Sequence, residues 1–94
     1  PPEEVEVLWR VACLRALCRL LHIRGISVKP GELRITFAEN AAIDPTALMQ
    51  LISEQQQYMN FKSGVQAQLI FRTVKLKTDS LTWLEKNLPR LAFD

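Results

Sequence analysis

Few side chains in this 94-residue chain have the chemistry for catalysis. His22 is the only histidine, and it follows Leu20 and Leu21 near the end of a predicted helix. The negative end of a helix dipole favours a cationic side chain, such as a protonated imidazole, at that position. We therefore interpret His22 as a helix-end residue and not as a general base.

The two cysteines do not form a disulfide or metal site on this pattern. Cys13 and Cys18 are five residues apart on the same predicted helix, which places them about 140° apart around its axis. They cannot bond to each other without unwinding the helix, and with one histidine they do not make a ligand set. We expect two small buried hydrophobic side chains in a protein of the reducing cytosol.

Four acidic residues are predicted to lie at helix N-termini, where they need no catalytic role. Glu3, Glu4 and Glu6 fall in the first turns of the first helix, where acids stabilise the helix dipole. Asp44 precedes Pro45 and is predicted to cap a second helix. The three glycines are isolated, so no glycine-rich phosphate loop is present. This pattern argues against an enzyme, and it predicts no catalytic, cofactor or metal site.

Nucleic-acid binding remains an alternative. Two groups of cations are close in sequence: Arg15, Arg19 and Arg24, and then Arg72, Lys75 and Lys77. They could contact phosphates, but no aromatic side chains alternate with them and no recognition-helix pattern appears. The net charge is only +2. Trp9 and Trp83 are predicted to anchor a core or an interface and not to stack on bases.

The first predicted helix has apolar residues on two sides. One stripe contains Val5, Trp9, Ala12, Ala16 and Leu20, and the other contains Val7, Val11, Leu14, Cys18 and Leu21. A small domain can wrap such a helix completely, or one stripe can meet a partner domain or a removed segment. The chain begins at Pro1-Pro2 without Met, and we expect an N-terminally truncated piece of a larger protein.

The remaining elements alternate between strands and helices. Gly25 is predicted to end the first helix in a left-handed conformation, and Ile26–Lys29 with Leu33–Phe37 read as a hairpin around Pro30-Gly31. Asp44-Pro45 begins the second helix. We therefore expect an α+β domain spanning residues 1–94, in the order αββαββα, with helices on a small antiparallel sheet.

The second half of the chain is again predicted to contain two strands followed by a helix. Tyr58–Phe61 and Val65–Arg72 are predicted strands, and Ile70 breaks the alternation in a way that suggests cover on both faces of the sheet. The last helix is predicted to be capped at Thr78, Asp79 or Ser80. Pro89 is expected to kink it or end it about one turn early.

Several segments together match the pattern of one known family: Pro2–Glu6, Arg10–Arg15, Leu21–Ile23, Phe37–Glu39 and Asp44-Pro45. They resemble the C-terminal domain of the bacterial transcription-repair coupling factor. A more generic likeness continues through Tyr58, the strand Leu69–Phe71 and the last helix with Trp83. Two positions depart from the family pattern, since Cys13 stands where arginine is common and His22 where glycine is. The family's domain also begins with helices upstream.

The resemblance implies a specific role. Such proteins are ATP-driven DNA translocases of the bacterial cytoplasm, with no membrane partner, that displace RNA polymerase stalled on duplex DNA and recruit excision repair. ATP and magnesium would bind in the parent's motor domains, and this domain would hold no cofactor. It would dock on the N-terminal UvrB-like module of the same protein and hide the surface that binds UvrA.

Candidate interaction residues come from the first helix: Arg15, Arg19, Val7, Val11, Leu14 and Leu21. Charge reversal at Arg15 and Arg19 is expected to weaken docking. Two other hypotheses stay open. One is an accessory DNA-binding module, which predicts weak binding with steep salt dependence. The other is a purely structural cap, which predicts only lost stability when it is deleted.

Overall fold

Three helices alternate with two pairs of strands in the computed structural model, which describes residues 1–94. The elements are α1 (Pro2–Leu21), β1 (Ile23–Lys29), β2 (Glu32–Phe37), α2 (Pro45–Glu54), β3 (Met59–Lys62), β4 (Gln68–Arg72) and α3 (Ser80–Asn87). Short 3₁₀ turns cover Thr73–Lys75 and Leu88–Leu91. The predicted α+β class and the order αββαββα are confirmed.

The sheet is antiparallel, with strand order β1-β2-β4-β3, so β1 and β3 are its edges. Ile35 pairs with Leu69 and Leu33 pairs with Phe71, and all four side chains are buried on one face. Because successive residues of a strand point to opposite faces, this is the alternation that the sequence predicts.

The opposite face of the sheet differs from the prediction that both faces are covered at Ile70. Ile70 lies there between the cross-strand neighbours Arg34 and Asn60, and it is half-buried. Arg34 donates to Gln68 over 3.1 Å and to Glu32 over 3.2 Å on the same face. The buried strand residues therefore all lie on the face that the helices cover, and the other face carries a polar side-chain network beside Ile70.

The helices close over the buried sheet face. Leu51 of α2, Trp83 and Leu84 of α3, and Leu91 beyond it are all buried in the same core as the sheet residues. The ring centroids of Trp83 and Phe71 are 4.9 Å apart. Burying side chains of this size supplies the main favourable free energy of the fold, at roughly 2–3 kcal/mol each.

The predicted helix boundaries are largely confirmed. Asp44 Oδ1 accepts a hydrogen bond from the Thr46 N–H at 3.0 Å. Asp79 Oδ1 accepts one from the Thr82 N–H at 2.7 Å, so Asp79 is the cap among the three candidates. α3 ends at Asn87, two residues before Pro89, and the chain continues as a 3₁₀ turn. Each of these ends follows from a local rule about caps or proline.

The end of α1 differs from the prediction. His22, and not Gly25, has the left-handed conformation, with φ of 56°. Strand β1 begins at the next residue, so the chain must turn at this position. His22 Nδ1 lies 2.8 Å from the carbonyl oxygen of Asn40, to which it donates in the Nδ1-protonated form. Gly25 instead lies in β1 beside an irregularity in the pairing with β2, a common place for glycine.

Substitutions at His22 should separate its two contributions. A non-glycine residue in this conformation costs about 1–2 kcal/mol, and the hydrogen bond to Asn40 returns about 0.5–1.5 kcal/mol. We expect His22→Gly to remain within about 1 kcal/mol of the parent. His22→Ala should be about 1 kcal/mol less stable, since it keeps the strain and loses the bond. Urea unfolding measures this order, and an alanine variant as stable as the glycine variant would contradict it.

Candidate interaction surfaces on the first helix

The inward side of α1 is the second of the two apolar stripes. Leu14 and Cys18 are half-buried and pack against the core, and Leu21 is buried at 3% exposure. Val7, near the helix start, is still 46% exposed. The stripe therefore becomes progressively more buried toward the C-terminal end of α1.

A forked ion pair fixes α1 to α3. Arg10 Nε donates to both carboxylate oxygens of Glu85, at 3.1 and 3.0 Å. Arg10 Nη2 donates to Glu85 as well and to Thr82 Oγ1 at 3.2 Å. This hydrogen bonding holds the pKa of Glu85 below its ordinary value and raises that of Arg10. A bidentate pair of this kind restrains the relative orientation of the two side chains as well as their distance.

The ion pair predicts how stability depends on pH. A carboxylate whose pKa is lowered by folding contributes stability that is present above its unfolded value and lost as the pH falls through its folded value. For Glu85 that loss begins below about pH 4.5. We expect Glu85→Gln to flatten the acid side of a stability-against-pH curve. Glu39→Gln, at an exposed glutamate without an ion pair, is the control. Equal acid slopes for the two variants would contradict this assignment.

The outward side of α1 is a second apolar surface, which we call the outer face: Val5, Leu8, Trp9, Ala12, Ala16 and Leu20. Val5, Trp9 and Leu20 are 66%, 70% and 73% exposed. Leu8, at 70%, extends the stripe that the sequence indicated. The domain thus does not wrap α1 completely, and one stripe meets the core while the other has no cover in this chain.

A groove of about 620 Å³ lies between α1, β1 and the start of α3. Its lining includes Leu14 and Cys18 from α1, Ile26 from β1, and Leu81 and Leu84 from α3. Three cations join the same lining: Arg15, Arg19 and Arg24. We call this feature the arginine groove. It combines an apolar interior with positive charge in one concave surface.

The N-terminal half of the chain, which contains α1 and the β1-β2 hairpin, matches a known protein family. A family model described as the TRCF domain matches residues 1–48, half of the chain, from the start of α1 into α2. This chain belongs to the TRCF domain family. TRCF denotes the transcription-repair coupling factor. A search of curated proteins finds no match to the chain.

Within this TRCF domain, the sequence-predicted interaction residues divide into three sets. Val11, Leu14, Arg15 and Arg19 come together in the arginine groove. Val7 lies at the exposed start of α1. Leu21 is in the domain's own core, because α1 must bury its last turn where β1 begins, and it is not available to a partner in this fold.

The apolar candidates predicted from sequence, Val7, Val11, Leu14 and Leu21, all lie on the inward stripe, and none of the candidates lies on the outer face. The signal for the outer face was present in the first stripe of the helix. No local sequence signal could have predicted that Leu81 and Leu84 line the groove, because α3 comes close to α1 only in the tertiary fold. Arg72, of the second cation group, instead donates to the Gln57 carbonyl oxygen at 2.7 Å, outside the groove.

The cysteines of the TRCF domain are only partly as predicted. Cys18 is half-buried, and burial raises the pKa of its thiol. Cys13 is exposed, because it lies beside the outer face and not the core. Both are free thiols. No group of three or more His, Cys, Asp or Glu side chains is placed to hold a metal ion, and no helix is both long and apolar enough to cross a membrane.

Proposed function

We propose that this TRCF domain is a non-catalytic regulatory domain of a transcription-repair coupling factor. It docks on the UvrB-like module of the parent protein and covers the surface that UvrA binds. Membership of the TRCF family supports the setting. The observation that carries the proposal is the outer face, a helix side that presents large apolar side chains to solvent.

The composition of the outer face suits docking against another protein. Contiguous exposed apolar surface on a soluble domain marks an interaction site more often than a chance feature. Trp9 is a tryptophan, and tryptophan is among the residue types enriched in the energetic hot spots of interfaces. Ala12 and Ala16 are small, so a partner surface can approach the helix axis closely between Trp9 and Leu20.

The mechanism is competition for one surface. A docked state favoured by about 1–3 kcal/mol lowers UvrA recruitment by roughly 5- to 150-fold. In the parent, the motor domains would bind ATP and magnesium, and engagement of RNA polymerase and duplex DNA would release the docked domain. The role needs no chemistry from this domain, only a change in which surface is covered.

The test is a calorimetric titration of the 94-residue chain into the UvrB-like module, followed by addition of UvrA. We expect saturable binding that UvrA competes away. In the full coupling factor, deletion of the domain should increase UvrA binding. Unchanged UvrA binding after deletion would refute masking, and it would leave a structural cap as the better account.

A further inference from the structure

The arginine groove has charges that the fold itself does not use. The three ion pairs of the domain involve Arg10 with Glu85, Arg34 with Glu32, and Arg90 with Glu54. Arg15, Arg19 and Arg24 are all exposed and have no carboxylate partner. Asp79, next in sequence to the groove residue Ser80, is already the N-cap of α3. The groove therefore has positive charge available for a ligand.

The groove also runs beside an unpaired strand edge. β1 pairs only with β2, so its other edge is open. Five β1 residues, from Ile23 to Val28, belong to the groove lining. An open strand edge can accept an extended peptide through backbone hydrogen bonds, while pockets beside it select the side chains. The groove offers both features in one place.

Charge determines which strand would fit. Arg24 and Lys29 lie on β1 itself, so the β1 edges of two copies would bring like charges together. An acidic strand would instead meet Arg24 from β1 and Arg15 and Arg19 from α1. The local charge disfavours a second copy and favours a partner with carboxylates.

We propose that the arginine groove binds an extended acidic segment of a partner protein, which adds as a fifth strand beside β1. Its carboxylates pair with Arg15, Arg19 and Arg24. Its apolar side chains pack on the floor formed by Leu14, Leu81 and Leu84. This site shares no residue with the outer face, and the proposal does not depend on whether the domain masks the UvrA-binding surface.

The lining favours a peptide over nucleic acid. Eight of the 13 lining residues are hydrophobic, and a phosphate backbone gains nothing from an apolar floor. None of the lining residues is aromatic, so the groove has no platform on which bases stack. An acidic peptide that also carries apolar residues uses both the charge and the floor.

The test uses one labelled peptide on the 94-residue chain, acetyl-Glu-Val-Asp-Leu-Glu-Val-Asp-amide, with its lysine and serine counterparts as controls. The lysine peptide replaces every acid, and the serine peptide replaces every apolar residue. We expect saturable binding of the first peptide only, weakening as salt is raised. Amide exchange within Ile23–Lys29 should slow in the complex, because a new strand protects the open edge.

Matched variants test whether the peptide binds in the arginine groove. Arg15→Glu/Arg19→Glu should weaken binding at least about 10-fold. Lys62→Glu/Lys86→Glu makes the same change in net charge at exposed sites outside the groove. This variant should change the affinity for the peptide less than about 2-fold. Circular dichroism confirms that both variants are folded.

Three results would overturn the proposal: no saturable binding, equal binding of the lysine peptide, or equal loss in both double variants. Tighter binding of a 12-base-pair duplex than of the acidic peptide would replace it with the DNA-binding hypothesis. None of these measurements involves the UvrB-like module, so their failure is distinct from failure of the masking proposal.

Discussion

Replacing Trp9 by glutamate is expected to weaken docking on the UvrB-like module by at least about 30-fold, which corresponds to about 2 kcal/mol, the lower bound for an interface hot spot. The substitution removes the largest side chain of the outer face and introduces a charge that docking would have to bury. Because Trp9 is 70% exposed in the free domain, we expect the free energy of unfolding to change by no more than about 0.5 kcal/mol.

Met49→Glu provides the matched control for Trp9→Glu. Met49 is also a large apolar side chain on the exposed side of a helix, 64% exposed, but it lies on α2 and not on the outer face. Docking of the Met49 variant should remain within about 2-fold of the parent. If the two variants lose docking equally, any added negative charge is sufficient, and the outer face is not the docking surface. Calorimetry of both variants gives the comparison.

The parts of the fold that local rules control were predictable from sequence. Asp44-Pro45 begins α2 because an acid caps the helix and proline fits its first turn. The alternation of Leu33, Ile35 and Phe37 gave the buried strand because a strand has only two faces. The end of α1 was misplaced since glycine is the usual left-handed residue. Here His22 takes that conformation with a ring hydrogen bond to Asn40, which is eighteen positions away.

The surfaces of α1 were predictable only in part. Periodicity shows that a helix has two apolar sides, but it does not say which side the core covers. That choice depends on contacts with distant elements, such as the fork between Arg10 and Glu85. The arginine groove needs α1, β1 and α3 together, so only four of its residues were among the sequence candidates. The sequence predicts that α1 has two apolar sides, but which parts of its surface belong to the core, the outer face and the arginine groove follows only from the fold.

Trp83→Ala is expected to have the largest effect on stability, a loss of about 3–5 kcal/mol. Trp83 is 6% exposed and packs on Phe71 with ring centroids 4.9 Å apart, so its removal leaves a cavity between α3 and the sheet. A domain of this length has a total stability of roughly 5–14 kcal/mol. The variant should therefore unfold at much lower urea, and Trp83→Phe, which keeps an aromatic ring against Phe71, should lose only about 1–2 kcal/mol.

Trp9→Ala is the matched comparison for Trp83→Ala, because the same atoms are removed from a side chain that is 70% exposed. The Trp9 variant should lose docking and keep its unfolding midpoint, whereas Trp83→Phe should keep docking while its midpoint falls. Urea unfolding and calorimetry on these variants test both statements. Equal destabilisation by the two alanine substitutions would mean that Trp9 is covered within the free domain. The outer face would then lose its hot spot, since a side chain that stabilises the free fold is not available to a partner.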